Sequence, residues 1–251
     1  MDAAHKNQAG EAFVRRIEAN GPGGSGLVAW EALDPATLAA GTPVQSGYLY
    51  DEDEARGYSA GVWHCTPFDD APGPYPVDEY MLLLEGVVVM ALPDGQNVRI
   101  EAGEAFVLPQ GFECQWKMPK DVRKVFMIVE NDGRTTSKNT SLAKVIKPSM
   151  IPLAYAADAV ETSQTVFASA DGQMTVARRG YGAPFRGPVP SAGQRIVTVL
   201  SGGIKIGDAY FGVRDSVFVD ARDRSDWHIA AGTTWLEASH INLAARKCAS
   251  W

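Results

Sequence analysis

The stretch Gly103–Trp116, G-E-A-F-V-L-P-Q-G-F-E-C-Q-W, constrains the fold more than any other part of the chain. It reads as a glycine, a short β-run, a Pro-x-Gly turn and a return strand. Proline fixes its own φ, and glycine supplies the positive φ that tight reversals need, so the run must double back at Pro109–Gly111. The same grammar recurs around it. Candidate strands are Gly57–Thr66, Glu79–Leu84, Val87–Leu92, Asn97–Glu101, Glu104–Leu108, Cys114–Lys117 and Lys124–Glu130, with further turns at Pro72–Pro76 and Pro93–Gln96. With 25 glycines and 15 prolines in 251 residues, many short strands and turns point to an all-β architecture. The exception is Gly10–Ala19, where Phe13, Val14 and Ile17 share one face and predict a short amphipathic helix.

The net charge of −7 disfavours a nucleic-acid partner, because phosphate binding requires clustered Lys and Arg. No run approaches the ~18 apolar residues of a membrane-spanning helix, and no basic segment followed by an apolar run marks a secretory leader. Cys65, Cys114 and Cys248 are too few and too scattered to frame disulfides. A cytoplasmic protein with free thiols is the expectation, without nucleic acid or membrane as partners.

Two similar units are expected. Leu200-Ser201-Gly202 repeats Leu84-Glu85-Gly86, Asp215–Val219 repeats Glu104–Leu108, and Trp227 falls where Trp116 does. The predicted division is an extension over 1–46, a first barrel over 47–130, a polar, proline-bearing linker over 131–160 and a decayed second barrel over 161–251.

The residues Gly61–Pro67, Asp78-Glu79-Tyr80, Leu84-Glu85-Gly86, Gly103–Pro109, Gly111-Phe112, Trp116 and Arg123-Lys124 together resemble the cupin superfamily. Within it they are most similar to the ureidoglycine aminohydrolase-like and ethanolamine-utilisation cupins. The resemblance covers roughly 47–130 and only echoes in the second half. It implies two double-stranded β-helix, or jelly-roll, barrels in one chain (a bicupin), with the short N-terminal helical extension ahead of them. It also implies a metal held by two histidines and a glutamate from a first motif and one histidine from a second. Here Glu79 matches the glutamate, Pro72–Tyr75 stands where the two histidines would be, and Cys114 replaces the last one.

The metal-ligand candidates are therefore Glu79 and Cys114, too few for a tight zinc or iron site, which needs three or four protein donors, with His64 as a possible third. His64 and Trp63 alternate on their strand, so an inward Trp63 turns His64 outward. Glu79 and Cys114 are the catalytic candidates. A carboxylate inside an apolar barrel must be paired or put to use, and an ion pair with Arg123 or Lys124 is the competing assignment for Glu79. Tyr75, Tyr80 and Trp116 are candidate ligand-binding residues. In the second unit Arg195 and Ser225 replace Glu79 and Cys114, and Arg195, with Arg178 or Arg179, suits a carboxylate. The expected function is binding of a small polar metabolite in the first barrel without a complete metal site. The alternative is a metal-dependent aminohydrolase- or isomerase-like enzyme acting on a small nitrogenous or carboxylated metabolite. The expected cofactor is none, or a weakly held divalent metal, and a homodimer is a possible assembly.

Overall fold

A computed structural model describes residues 12–130, 147 and 160–241. Among these the regular structure is antiparallel strand, with 3-10 turns at Pro22–Gly24, Pro35–Thr37 and Glu54–Arg56 and no α-helix. Asn97–Glu101 forms with the expected bounds, and the other expected strands form within two residues of theirs. The linker expected at 131–160 lies, apart from Lys147 and Val160, outside the described residues, as does Cys248.

The expected N-terminal helix is not there. Val14–Ile17 is a strand, paired antiparallel with Ser216–Val219 at the edge of a sheet in the second half. Residues 10 and 11 lie outside the described region. Tertiary contacts override the weak helical pattern. The Arg15 guanidinium lies 4.8 Å from the Phe218 ring, and Arg16 pairs with Asp215 at 2.6 Å. The edge offers a ladder of backbone hydrogen bonds, whereas an isolated helix shorter than ~12 residues is marginal in water.

The two halves share one strand order. In the first, a sheet runs Ala105–Leu108, Asp78–Glu85, Val122–Val129, Tyr58–Cys65, Gln45–Asp53, with Val28–Ala29 at its edge. In the second, Ser216–Val219, Gly193–Ser201, Thr233–Ile241, Met174–Tyr181 and Glu161–Ala168 repeat that order, with Val14–Ile17 at the opposite edge. The facing sheets also correspond. Asn97–Glu101, Val87–Ala91, Glu113–Met118 and Phe68–Asp70 match Ala209–Gly212, Gly203–Ile206, Asp226–Ile229 and Phe185–Pro188. The duplication legible in Gly86 and Gly202 is thus carried through the topology. Each of these glycines has positive φ at the bend after a central strand, 86° and 71° respectively.

The larger sheets of the two halves pack face to face. Tyr58, Tyr80, Val107 and Met127 from the first half share one buried cluster with Phe167, Met174, Ile196 and Leu236 from the second. The opposite faces of the same strands form a separate apolar interior in each half. Alternation along Asp78–Glu85 therefore sends Asp78, Tyr80 and Leu82 to the seam and Glu79, Met81 and Leu83 to the first interior.

Asp78 is buried in this environment and accepts a hydrogen bond from Gln110 N at 3.0 Å. Burial, reinforced by the charge of Asp171 from the second half, pushes its carboxyl up to about 6. The folded chain therefore holds this proton more tightly than the unfolded chain, and stability falls as pH rises from the ordinary carboxylate range to about 6. Asp78→Asn keeps the acceptor and removes the titration. Urea unfolding is expected to show the variant gaining on the native chain by on the order of 2 kcal/mol between pH 4 and pH 7.5.

A Cβ at Gly86 would lie 2.1 Å from the Asp121 carbonyl oxygen, whereas one at Gly95, with φ 83°, meets nothing within 4 Å. Gly95→Ala is expected to cost about 1 kcal/mol of backbone strain and Gly86→Ala more than twice that, read from denaturant midpoints.

Candidate functional site

The Gly103–Trp116 corner builds one wall of the site. Leu83 N donates to Glu104 O and Gly103 N to Leu83 O, which fixes the strand Ala105–Leu108 beside Asp78–Glu85. At the Pro109–Gly111 turn, Gly111 N donates to Tyr75 O, and Tyr75 N donates to Phe112 O. Gly73–Pro74 pairs with Glu113 and Cys114. The corner thus holds the 72–76 loop and sets the Tyr75 hydroxyl over Glu79, to which it donates a short hydrogen bond.

Glu79 is 2% exposed and has both carboxylate oxygens engaged. Oε2 accepts from Tyr75, and Oε1 accepts from Lys124 Nζ at 2.8 Å. Lys124 comes from Val122–Val129 and is 7% exposed. Its ammonium also contacts Met81 Sδ at 3.2 Å and lies 4.7 Å from the Trp63 ring centre and 4.9 Å from that of Trp116. A buried ammonium needs this combination of countercharge and ring faces to offset its lost hydration.

Beside the pair lies a cavity of about 530 Å³, within the usual range for small-molecule sites. Its walls include Trp30, Trp63, Phe68, Trp116 and Phe126, with Glu79, Lys124, Tyr75, Cys114 and Asp70 as polar groups. Desolvation first, then the charges of Asp70 and Glu113, push the Cys114 thiol up to about 11. It stays protonated near neutral pH, which does not suit a nucleophile. Burial lifts the Tyr75 hydroxyl well above its ordinary value, with Glu79 adding to the shift.

Glu79, Cys114, Tyr75 and Trp116 thus meet at one cavity. His64 and Tyr80 do not join them. His64 sits on the other face of its strand from Trp63, with Nε2 3.3 Å from Asp121 Oδ2. Tyr80 points into the seam between the halves, one residue out of phase with Glu79. The sequence reading missed Asp70, Trp30 and Phe68 as cavity residues. The alternation that places Glu79 and Trp63 inward also places Lys124 inward, and that signal was available. Trp30 had none, since it arrives from the extension.

The fold family implies a metal, and these residues do not fit one. The Glu79 oxygens are committed to Lys124 and Tyr75, and His64 faces away, so Cys114 is left as a single donor. Among the described residues no group of three or more His, Cys, Asp or Glu converges on a possible ion position.

The second interior is charged differently. Arg195 stands opposite Val219 as Glu79 stands opposite Leu108, so the two are topological equivalents. Arg195 is 1% exposed, donates to Val189 O at 2.6 Å and lies 4.6 Å from the Trp227 ring centre. Its Nη1 is 3.8 Å from Glu237 Oε2, and Arg179 Nη1 reaches the same carboxylate at 3.0 Å. The carboxylate that Arg195 and Arg179 hold is therefore the chain's own Glu237. Ser225, equivalent to Cys114, donates to Asp223 at 2.6 Å.

Breaking one side of a buried pair strands the other charge. Lys124→Met is expected to lower stability by about 3–5 kcal/mol, and adding Glu79→Gln to recover at least half of that loss, measured as a double-mutant cycle in denaturant. A loss no larger than that of a surface lysine would show that the pair is not the anchor described here.

Residues 52–126 match the EutQ-like cupin domain family. No curated protein matches the chain. Among solved structures, a Pseudomonas syringae pv. tomato protein of unknown function from the DUF861 family superposes with TM-score 0.66 at 14% identity, over 91% of this chain and 99% of that one. A cupin 2 conserved barrel domain protein from Leptotrichia buccalis gives TM-score 0.55 at 10% identity, over 84% and 97%. The protein Ylba from Escherichia coli, also of the DUF861 family, gives 0.53 at 8%, over 94% of each chain. At these identities the likeness speaks for the fold. Residues 52–126 thus carry a EutQ-like cupin domain, and the chain as a whole shares the cupin fold.

Proposed function

We propose that the chain is a bicupin whose first barrel binds a small polar metabolite in the cavity beside Glu79 and Lys124, without a complete metal site. The observation that carries this is the saturation of Glu79: the carboxylate at the position of the metal-ligand glutamate of metal-binding cupins is spent on an internal ammonium and a tyrosine hydroxyl. The cavity's size and its mixture of aromatic walls with a few polar groups support a small-molecule role. The domain division at 46, 130 and 160 belongs to the same proposal, supported by the repeated strand order. So does a cytoplasmic location, supported by the unpaired thiols of Cys65 and Cys114. The alternative, a metal-dependent cupin enzyme, would need donors that this cavity does not assemble.

Purified full-length protein is expected to carry well under one equivalent of manganese, zinc or iron by elemental analysis. A full equivalent of tightly held metal would sink the proposal. In thermal-shift titrations with amino acids, ureido compounds and organic acids, Glu79→Gln is expected to change ligand response more than His64→Ala. Equal or reversed effects would put the binding site on the wrong face of the sheet.

A further inference from the structure

The first-barrel cavity has one charge left over. Lys124 and Glu79 neutralise each other at 2.8 Å, the Tyr75 hydroxyl is spent on Glu79, and Cys114 keeps its proton. Asp70, from the strand Phe68–Asp70, lines the same cavity, and its carboxylate oxygens have no hydrogen bond or ion pair among the described residues. Its backbone carbonyl is held by the Gln115 side chain at 2.9 Å, which anchors the residue while its carboxylate oxygens stay uncommitted. The rings of Trp30, Trp63, Phe68, Trp116 and Phe126 line the same cavity.

Resting on the binding role proposed above, we infer that the ligand is a small organic cation, a primary amine or a quaternary ammonium compound, held by the Asp70 carboxylate against these aromatic faces. The chain already shows that such walls accept an ammonium. The Lys124 Nζ sits under 5 Å from both the Trp63 and Trp116 ring centres. An anion would meet a carboxylate and the electron-rich faces of several rings. A neutral ligand would cover the Asp70 carboxylate without supplying a countercharge, which costs more than leaving it in water. The charged and titratable groups that face Asp70 are Lys124, Cys65, Cys114, Tyr75 and the neighbouring Asp69. Burial pushes its carboxyl up to about 6, so at pH 8 it is ionised and available.

The test uses the full-length chain at pH 8 and isothermal titration with n-butylammonium, tetramethylammonium, butyramide and butyrate. Both cations are expected to bind at least tenfold more tightly than butyramide or butyrate. Asp70→Asn, checked for an unchanged circular dichroism spectrum, is expected to weaken cation binding at least tenfold, whereas His64→Ala leaves it unchanged. Butyrate or butyramide binding as tightly as the cations, and lost in Trp63→Ala, would overturn the cation class and leave the binding role standing. Unchanged cation affinity in Asp70→Asn would overturn it equally. Failure of all four probes, together with no response to the wider metabolite panel, would overturn the binding role itself.

Discussion

The strand Asp78–Glu85 has no solvent face over most of its length, and the rest of the molecule is arranged around that fact. Its even-numbered side chains pack into the seam where the larger sheets of the two halves meet. Its odd-numbered side chains fill the first interior. The strands Tyr58–Cys65 and Val122–Val129 obey the same rule, as Val62 and Val125 against Trp63 and Lys124 show. A sheet buried on both faces cannot slip register by one residue without moving every seam residue into the cavity and every cavity residue into the seam. The position of Glu79 is fixed by the same packing that joins the halves.

That packing forces each interior to solve an electrostatic problem, and the two solve it with opposite signs. In the first, a carboxylate on the central strand is met by a lysine from a neighbouring strand beneath Trp63 and Trp116. In the second, the equivalent central-strand position is Arg195, and the carboxylate is Glu237, on the neighbouring strand equivalent to that of Lys124. Trp227 and Trp235 flank that group. The second network is larger, because Arg179 ties Glu237 to Glu161 and Tyr181 also donates to Glu161. The first is compact and leaves Asp70 outside the pair.

How much of this was legible in the sequence divides along physical lines. Short-range signals read well. The positive-φ glycines Gly86, Gly111 and Gly202 mark turns that form where they were expected, and period-two alternation correctly set His64 against Trp63. The duplication was visible through Gly202 and Trp227 because these residues occupy backbone and packing positions that few others can fill. Long-range choices were not legible. Val14–Ile17 has a helical spacing, and only the exposed edge of Ser216–Val219, some two hundred residues away, makes it a strand. Tyr80 looked like a cavity aromatic because the sequence does not say that a second sheet covers its face. The choice between Arg123 and Lys124 as the partner of Glu79 also needed the interior face of the strand to be known.

The N-terminal segment connects these levels. Val14–Ile17 extends a sheet of the second half, Val28–Ala29 pairs with Gln45–Asp53, and Leu38–Gly41 pairs with the strand that carries Asp70. Between these pairings it is pinned to the first half, with Glu18 N bonded to the Tyr50 hydroxyl and Asn20 to Arg123. Trp30 then lies edge-on to Phe126 and over Gly47, where any Cβ would fall 2.1 Å from its ring, so Gly47 is the residue that lets this wall close. The cavity is therefore not a property of the first barrel alone. One of its aromatic walls is delivered by a segment whose other end is bonded into the second half. Loosening the edge pairing at Ile17 would free that segment at one end while Glu79 and Lys124 kept their places. The buried pair gives the cavity its rigid floor, and the strap sets how firmly its aromatic wall is held in place.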